Sequence, residues 1–290
     1  MADQPFPIIA GQLSLVDLLL MLAPVAVVPL GLRLIPLAGR RARQLLLVAR
    51  LLQPVGAVLV IASFIVPAGP WAALLAAGWF AVCSIAGLAG ASELVESRSL
   101  APGHLLPAAA LGFLAVGAAW LIAARGGISL GYSGPTVELT AVHFHYAGFA
   151  ATVLAALAFT ALSERSRRMR RVCAAAGVIV VLGTPVTATG IATGTAALTV
   201  IGPLLLATGI LTNAALTAFL IAPRRRTAGA RWLLAISSAA VVIPMLLGVD
   251  YAVARVLPVP ALDLRTMAIV HGDLNAVLYS LIGLAGWSMA

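Results

Sequence analysis

The sequence predicts an all-α fold: a polytopic transmembrane helix bundle of about nine spans, N-terminus outside and C-terminus cytoplasmic. Three observations predict it. Of the 290 residues, 62% are hydrophobic and only 9% charged, where a soluble domain of this size carries about a quarter charged residues. The apolar residues fall into nine runs near the ~20 residues a helix needs to cross ~30 Å of hydrocarbon. The arginine-rich connections sit where alternating spans bring them to one side.

The runs are 13–38, 44–66, 71–92, 104–124, 139–162, 172–194, 198–222, 232–257 and 266–288. They read as helices because stretches such as Ala108–Ala124 show no inside/outside alternation of the kind a barrel strand requires. Abundant Gly and Ala allow close approach of helix backbones. Arginine clusters follow the first run (Arg40, Arg41, Arg43), the fifth (Arg165 to Arg171) and the seventh (Arg224, Arg225, Arg226, with Arg231). With nine spans all three fall on one face, which the positive-inside rule makes cytoplasmic in a cell (plasma) membrane, whereas an eight-span count that dropped a helix between them would put some on opposite faces.

The net charge of +9 comes from 18 basic residues, all arginine, against nine acidic ones. Their confinement to short connections points to membrane orientation and away from a nucleic-acid partner. Cys83 and Cys173 lie inside separate apolar runs, so packing explains them better than a disulfide or a metal pair. The N-terminal residues lack a basic n-region and the first run is too long for a signal peptide, so it reads as a retained helix. Residues 1–290 read as one transmembrane domain. A weak parallel repeat, 44–162 with 172–288, would explain why His143-Phe144-His145 and His271-Gly272-Asp273 each open a run four helices apart; chance would also produce so short a match.

Ionisable residues inside spans are costly, so each is a functional candidate. In the nine-span topology Asp17, Glu138, His143, His145, Asp250, His271, Asp273 and Asn275 all lie toward the outer half, as do the hydroxyls around Thr187. A shared polar cavity accounts for that grouping; polar helix ends near the headgroups account for any one member. Glu93 and Glu96 read as a solvated cytoplasmic helix end, and Arg50 and Gln53 as a vestibule lining or a snorkelling arginine.

Helix geometry narrows the chemistry. At about 100° per residue, His143 and His145 point roughly 200° apart, as do His271 and Asp273, so neither pair chelates one ion. His271 and Asn275 share a face. No Glu-x-x-His, His-Glu-x-x-His or nucleophile motif is present. Carboxylic acids in a low-dielectric site suit proton donation, with a histidine or second carboxylate holding the proton. Asp273, Asp250 and Asp17 are the acid candidates, with His271 and His143 as partners. The aromatics Phe149, Tyr146, Tyr251 and Trp120 can offer ring faces to positive charge, or simply pack.

The run Ala141–Phe149, the stretch Thr184-Pro185-Val186-Thr187-Ala188-Thr189-Gly190 and the segment His271–Ala276 together resemble the YndJ-like bacterial membrane proteins. The resemblance covers the fifth to ninth runs. More distantly the chain is similar to the small integral membrane terpene cyclases of actinobacterial meroterpenoid and indole-terpenoid pathways. That second resemblance implies an isomerase or lyase of terpenoid biosynthesis: protonation of an alkene or epoxide opens cyclisation of a prenyl chain.

The expected function is therefore a proton-initiated terpene cyclase acting on a lipophilic polyprenyl or prenylated aromatic substrate. Its catalytic residues are Asp273, Asp250, Asp17, His271 and His143. Its substrate-binding residues are His145, Tyr146, Glu138, Phe149, Thr187, Asn275, Tyr251 and Trp120. No cofactor and no metal are expected, and the partners are the substrate and membrane lipids. A proton-coupled small-molecule transporter using the same residues is the alternative, followed by a metal- or haem-binding membrane protein.

Overall fold

The computed structural model describes residues 8–10, 13–132 and 135–289. They form a two-stranded antiparallel hairpin, β1 (Ile8–Ala10) and β2 (Leu13–Ser14), followed by helices. Nine of the described helices are long and apolar enough to cross a membrane. They are α1 (Leu15–Leu34), α2 (Arg40–Ile65), α3 (Pro70–Ser97), α4 (Pro102–Arg125) and α5 (Thr136–Leu162), then α6 (Arg167–Thr193), α7 (Ala196–Arg224), α8 (Ala228–Ala254) and α9 (Leu264–Ser288).

The helices run past the apolar stretches at several ends. Arg40, Arg41 and Arg43 lie in the first turn of α2, and Arg167 to Arg171 in the first turns of α6. Local capping sets these starts. Ser166 Oγ accepts the Met169 N–H, while α2 is capped by carboxylates from α3. Many large apolar side chains face outward, among them Leu51, Val55, Val58, Ile65, Trp71 and Leu74. A surface of that kind is at home in lipid.

The chain divides into two compact units. The first takes the chain up to Arg33, with Leu37–Ser99 and Ala108–Phe149; the second takes Leu34–Pro36, Leu100–Pro107 and Ala150 onward. In the first unit α2 and α3 pack along each other, with Trp79, Cys83 and Ala86 of α3 fully enclosed. In the second α6 and α7 pair still more closely. A Cβ on Gly202 would lie 2.5 Å from the Thr187 backbone nitrogen, so only glycine permits this approach.

Four of the spans depart from α-helical winding. Ala23–Val27 in α1, Phe144–Ala150 in α5, Thr217–Ile221 in α7 and Leu274–Leu281 in α9 are π-helical. In α1 the cause is readable. Pro24 has no N–H to give the helix ladder, and its carbonyl takes the Gln53 side-chain amide at 2.6 Å. The π segments of α5 and α9 follow directly on His143 and on Asp273.

Candidate functional site

The polar residues singled out in the sequence fall in both units. In the first, the serine that ends β2 caps α1: Asp17 Oδ2 accepts the Ser14 backbone N–H and hydroxyl, each at 2.8 Å, and Ser14 Oγ accepts the Asp17 N–H. This is a reciprocal capping box, and it ties up one oxygen of the Asp17 carboxylate. Glu138, half-buried in the first turn of α5, has Asp17 and Arg125 as the charged groups acting on it. Arg125 ends α4 and donates to the Ser63 and Val66 carbonyls, with its guanidinium 4.7 Å over the Phe64 ring. Arg125 was missed in the sequence. Its signal was a lone arginine at the end of an apolar run, outside the three clusters.

Deeper in α5 the side chains are committed to the protein. His145 is 1% exposed, with Nδ1 at 2.8 Å from the Ala141 carbonyl. A carbonyl cannot donate, so Nδ1 carries the proton. Nε2 then accepts the Trp79 indole N–H at 3.2 Å. Both ring nitrogens of a neutral histidine are thus engaged. Gly117 makes room for the ring: a Cβ there would come within 2.8 Å of Nδ1. Tyr146 donates its hydroxyl to the Leu19 carbonyl at 2.7 Å, and the Phe149 ring seats against Gly31. His143 is half-buried and stands edge-on to Phe144, and Trp120 packs against Tyr132.

In the second unit the arrangement is different. Asp250 is exposed and Tyr251 half-buried on α8, while Thr187 is buried with its hydroxyl given to the Gly183 carbonyl. His271 lies on α9 against Gly248 of α8, where a Cβ would stand 3.0 Å from Cε1. Its Nδ1 donates to the Pro244 carbonyl at 2.7 Å. By the same reasoning as for His145, Nε2 is left with a lone pair. No hydrogen bond among the described residues occupies it. Asn275 donates to the His271 carbonyl at 2.8 Å. Asp273, two residues along from His271 and half-buried, makes no side-chain hydrogen bond among the described residues.

The row His271, Asn275, Tyr279 recurs at i+4 through the π-helical segment. In an α-helix each i+4 step overshoots a full turn by about 40°. The wider π winding shortens each step and keeps such a row straighter. Sequence reasoning at 100° per residue describes the helix only as far as Asp273.

Four further residues were read differently from the sequence. Glu93 is not a solvated helix end. It is 1% exposed and accepts the Ala38 and Gly39 N–H groups at 3.0 and 2.8 Å. Glu96 accepts those of Arg41 and Ala42 at 3.0 Å each, so the two carboxylates of α3 cap α2. Arg50 donates to the Leu32 carbonyl at 2.7 Å and closes the C-terminal end of α1, and Gln53 is buried on Pro24. A carboxylate 54 residues from the backbone it caps leaves no local sequence signal. Among the described residues no three His, Cys, Asp or Glu side chains gather to hold a metal ion.

The fold defines a multi-pass helical membrane protein, and its membrane-length helices carry histidine and carboxylate side chains. The family described as YndJ-like protein matches residues 18–279, and the chain belongs to it. No curated protein and no solved structure matches.

Proposed function

We propose that this YndJ-like protein is an intramembrane acid–base enzyme, a proton-initiated cyclase of lipophilic prenyl substrates. The observation that carries the reading is the 2.7 Å hydrogen bond from His271 Nδ1 to the Pro244 carbonyl. It fixes the tautomer that leaves Nε2 as a base, two residues along the chain from Asp273, whose carboxyl makes no side-chain hydrogen bond among the described residues. Asp273 in its acid form gives its proton to an alkene carbon or an epoxide oxygen. The carbocation closes a ring, and loss of a proton from carbon to a base ends the cascade. The net change is an isomerisation, so the reaction as written needs neither cofactor nor metal. His271 Nε2 holds or returns the proton. The protein would sit in the plasma membrane with its arginine-rich connections in the cytoplasm and its N-terminus outside.

The test is to incubate membranes containing the protein with prenylated indoles and isoprenoids and look for products of unchanged mass. Ring-bearing isomers that vanish with Asp273→Asn support the reading. Absence of conversion across the panel removes it.

A second reading, a proton-coupled carrier, is favoured by one observation. α5 and α9 each switch to π-helical winding just after a histidine-bearing stretch. Carriers place sites at interrupted helices in corresponding positions of two halves. Substrate-dependent proton uptake by proteoliposomes, lost in His271→Asn, is the result that reading requires.

A further inference from the structure

The connection from α7 to α8 gathers positive charge and contains no acidic residue. Arg224, Arg225 and Arg226 are consecutive, and Arg231 closes the first turn of α8, a turn without any acidic residue. Cations at a helix N-terminus meet the positive end of the helix dipole, which disfavours them. Arg224 is used locally, donating from Nη1 to the Leu220 carbonyl at 2.7 Å. Arg226 and Arg231 are exposed.

Arg225 is placed differently. It is half-buried, and its guanidinium lies 4.2 Å from the centroid of the Trp287 ring. The ring face holds the cation but accepts none of its in-plane N–H groups. Nε and Nη2 are both enclosed and have no hydrogen-bond partner. Burial lowers the pKa of Arg225 from the usual arginine value, and no carboxylate acts on it in compensation. The group nonetheless stays charged, as arginine does in proteins.

A planar fork short of acceptors, flanked by exposed cations and by the start of a helix where Thr227 caps only the Ala230 N–H, calls for an anion with several oxygens. We propose that the α7–α8 corner binds a phosphate group, with Arg225 as the fork. Turning the side chain about its last torsions brings the Nε–Nη2 edge from the indole face to the arriving oxygens. Arg226, Arg231 and the start of α8 complete the positive surround. The phosphate belongs either to a lipid headgroup at the membrane surface or to a small soluble phosphate; the chemistry is the same. This site stands apart from His271 and Asp273 and does not rest on the cyclase reading.

The experiment uses the full chain purified in an uncharged detergent. Thermal unfolding is followed with phosphatidylglycerol against a phosphate-free glycolipid, and with inorganic phosphate against chloride at matched ionic strength. Native mass spectrometry counts bound lipid in the same samples. A ligand that binds only the folded state raises the unfolding temperature. A rise with phosphatidylglycerol alone identifies a headgroup; a rise with inorganic phosphate as well identifies a small soluble phosphate. Arg225→Gln should remove most of either rise, and Arg225→Lys should too, since lysine keeps the charge but not the fork. Arg168→Gln, which deletes the same charge from an exposed arginine of α6, should leave it intact. If Arg225→Gln does not fold, the wild-type ligand comparison and the lipid count decide. No response to either phosphate source, or equal loss in Arg168→Gln, overturns the proposal.

Discussion

Trp79 of α3 donates its indole N–H to Nε2 of His145 on α5 at 3.2 Å, with both side chains closed off from the surface. The rings stack nearly parallel, 17° apart. Since Nδ1 is also occupied, this histidine joins two helices and is not free to shuttle protons. His145→Ala would strand a buried indole N–H and open a cavity, costing ~2–4 kcal/mol. Trp79→Phe should cost less, because the indole is replaced by another ring. Unfolding in detergent, followed by intrinsic fluorescence or scanning calorimetry, checks the order. A His145→Ala protein as stable as wild type would contradict the geometry.

Glu93 offers a second structural test. One carboxylate oxygen satisfies the two N–H groups that lead into α2, from a side chain on α3. Glu93→Ala leaves both donors without that acceptor and is expected to destabilise by ~1–3 kcal/mol. Glu93→Gln keeps a carbonyl oxygen and should fall between the two. The measurement is the same unfolding experiment, and the expected order is wild type, Gln, Ala.

These two residues show where the sequence was legible and where it was not. Hydropathy and length located all nine spans, because crossing hydrocarbon imposes a strong and local constraint on each segment. The ends were less legible. The runs stop where charge begins, whereas α3 continues through Glu93 to Ser97 and α6 starts among its arginines. A carboxylate turned inward to cap another helix looks, in sequence, like one turned out to solvent. The histidines divided in the same way. His145 and His271 have similar apolar neighbours in sequence, yet one has both nitrogens engaged and the other only one. That difference depends on Trp79 and Pro244, which are distant in the chain. The π-helical segments were not legible either, at Pro24 no more than elsewhere, because Pro54, Pro107, Pro185 and Pro203 sit within α-helical winding.

The start of α9 predicts a pH dependence outside the apolar region. Asp263 caps the helix, its carboxylate accepting the Thr266 N–H at 3.0 Å and hydroxyl at 2.7 Å. These hydrogen bonds hold its carboxyl below the usual aspartate range. A carboxyl with a depressed folded-state pKa stabilises above its unfolded pKa of ~3.9 and loses that contribution as pH falls through the folded value. Opening at the start of α9, followed by hydrogen exchange, should therefore increase in acid below ~pH 4. Asp263→Asn keeps a good capping side chain and should flatten that part of the profile. An unchanged acid limb in the Asn variant would remove Asp263 as its source.

Orientation is testable with two single cysteines. Ile128, in the α4–α5 connection, and Ser166, at the cap of α6, are both exposed. The native Cys83 and Cys173 are buried and should give little background. Under the proposed orientation an impermeant maleimide labels Ile128→Cys in intact cells and reaches Ser166→Cys only after permeabilisation. Labelling of both from outside would invalidate the nine-span alternation.

The acid candidates are now separated by their surroundings, and that separation makes the final prediction. Asp17 is part of a capping box, so Asp17→Asn replaces an oxygen that accepts two hydrogen bonds with a group that cannot serve both as well. Its effect should fall on stability, with turnover per folded molecule near wild type. Asp250 is exposed on α8, outside any enclosed site, and Asp250→Asn should change turnover little. Asp273 is half-buried with no hydrogen bond to lose, so Asp273→Asn preserves shape while removing the proton. On the cyclase reading it should lower turnover by at least ~100-fold, the usual scale for a general acid. His271→Asn sharpens the comparison, because the asparagine amide can still donate to the Pro244 carbonyl while the Nε2 base is gone. A loss in His271→Asn comparable to that in Asp273→Asn, with unfolding temperatures unchanged in both, is the pattern expected of an acid and its proton-holding partner. If turnover instead falls only with Asp17→Asn, the chemistry belongs to the first unit, and Glu138 with Arg125 becomes its centre.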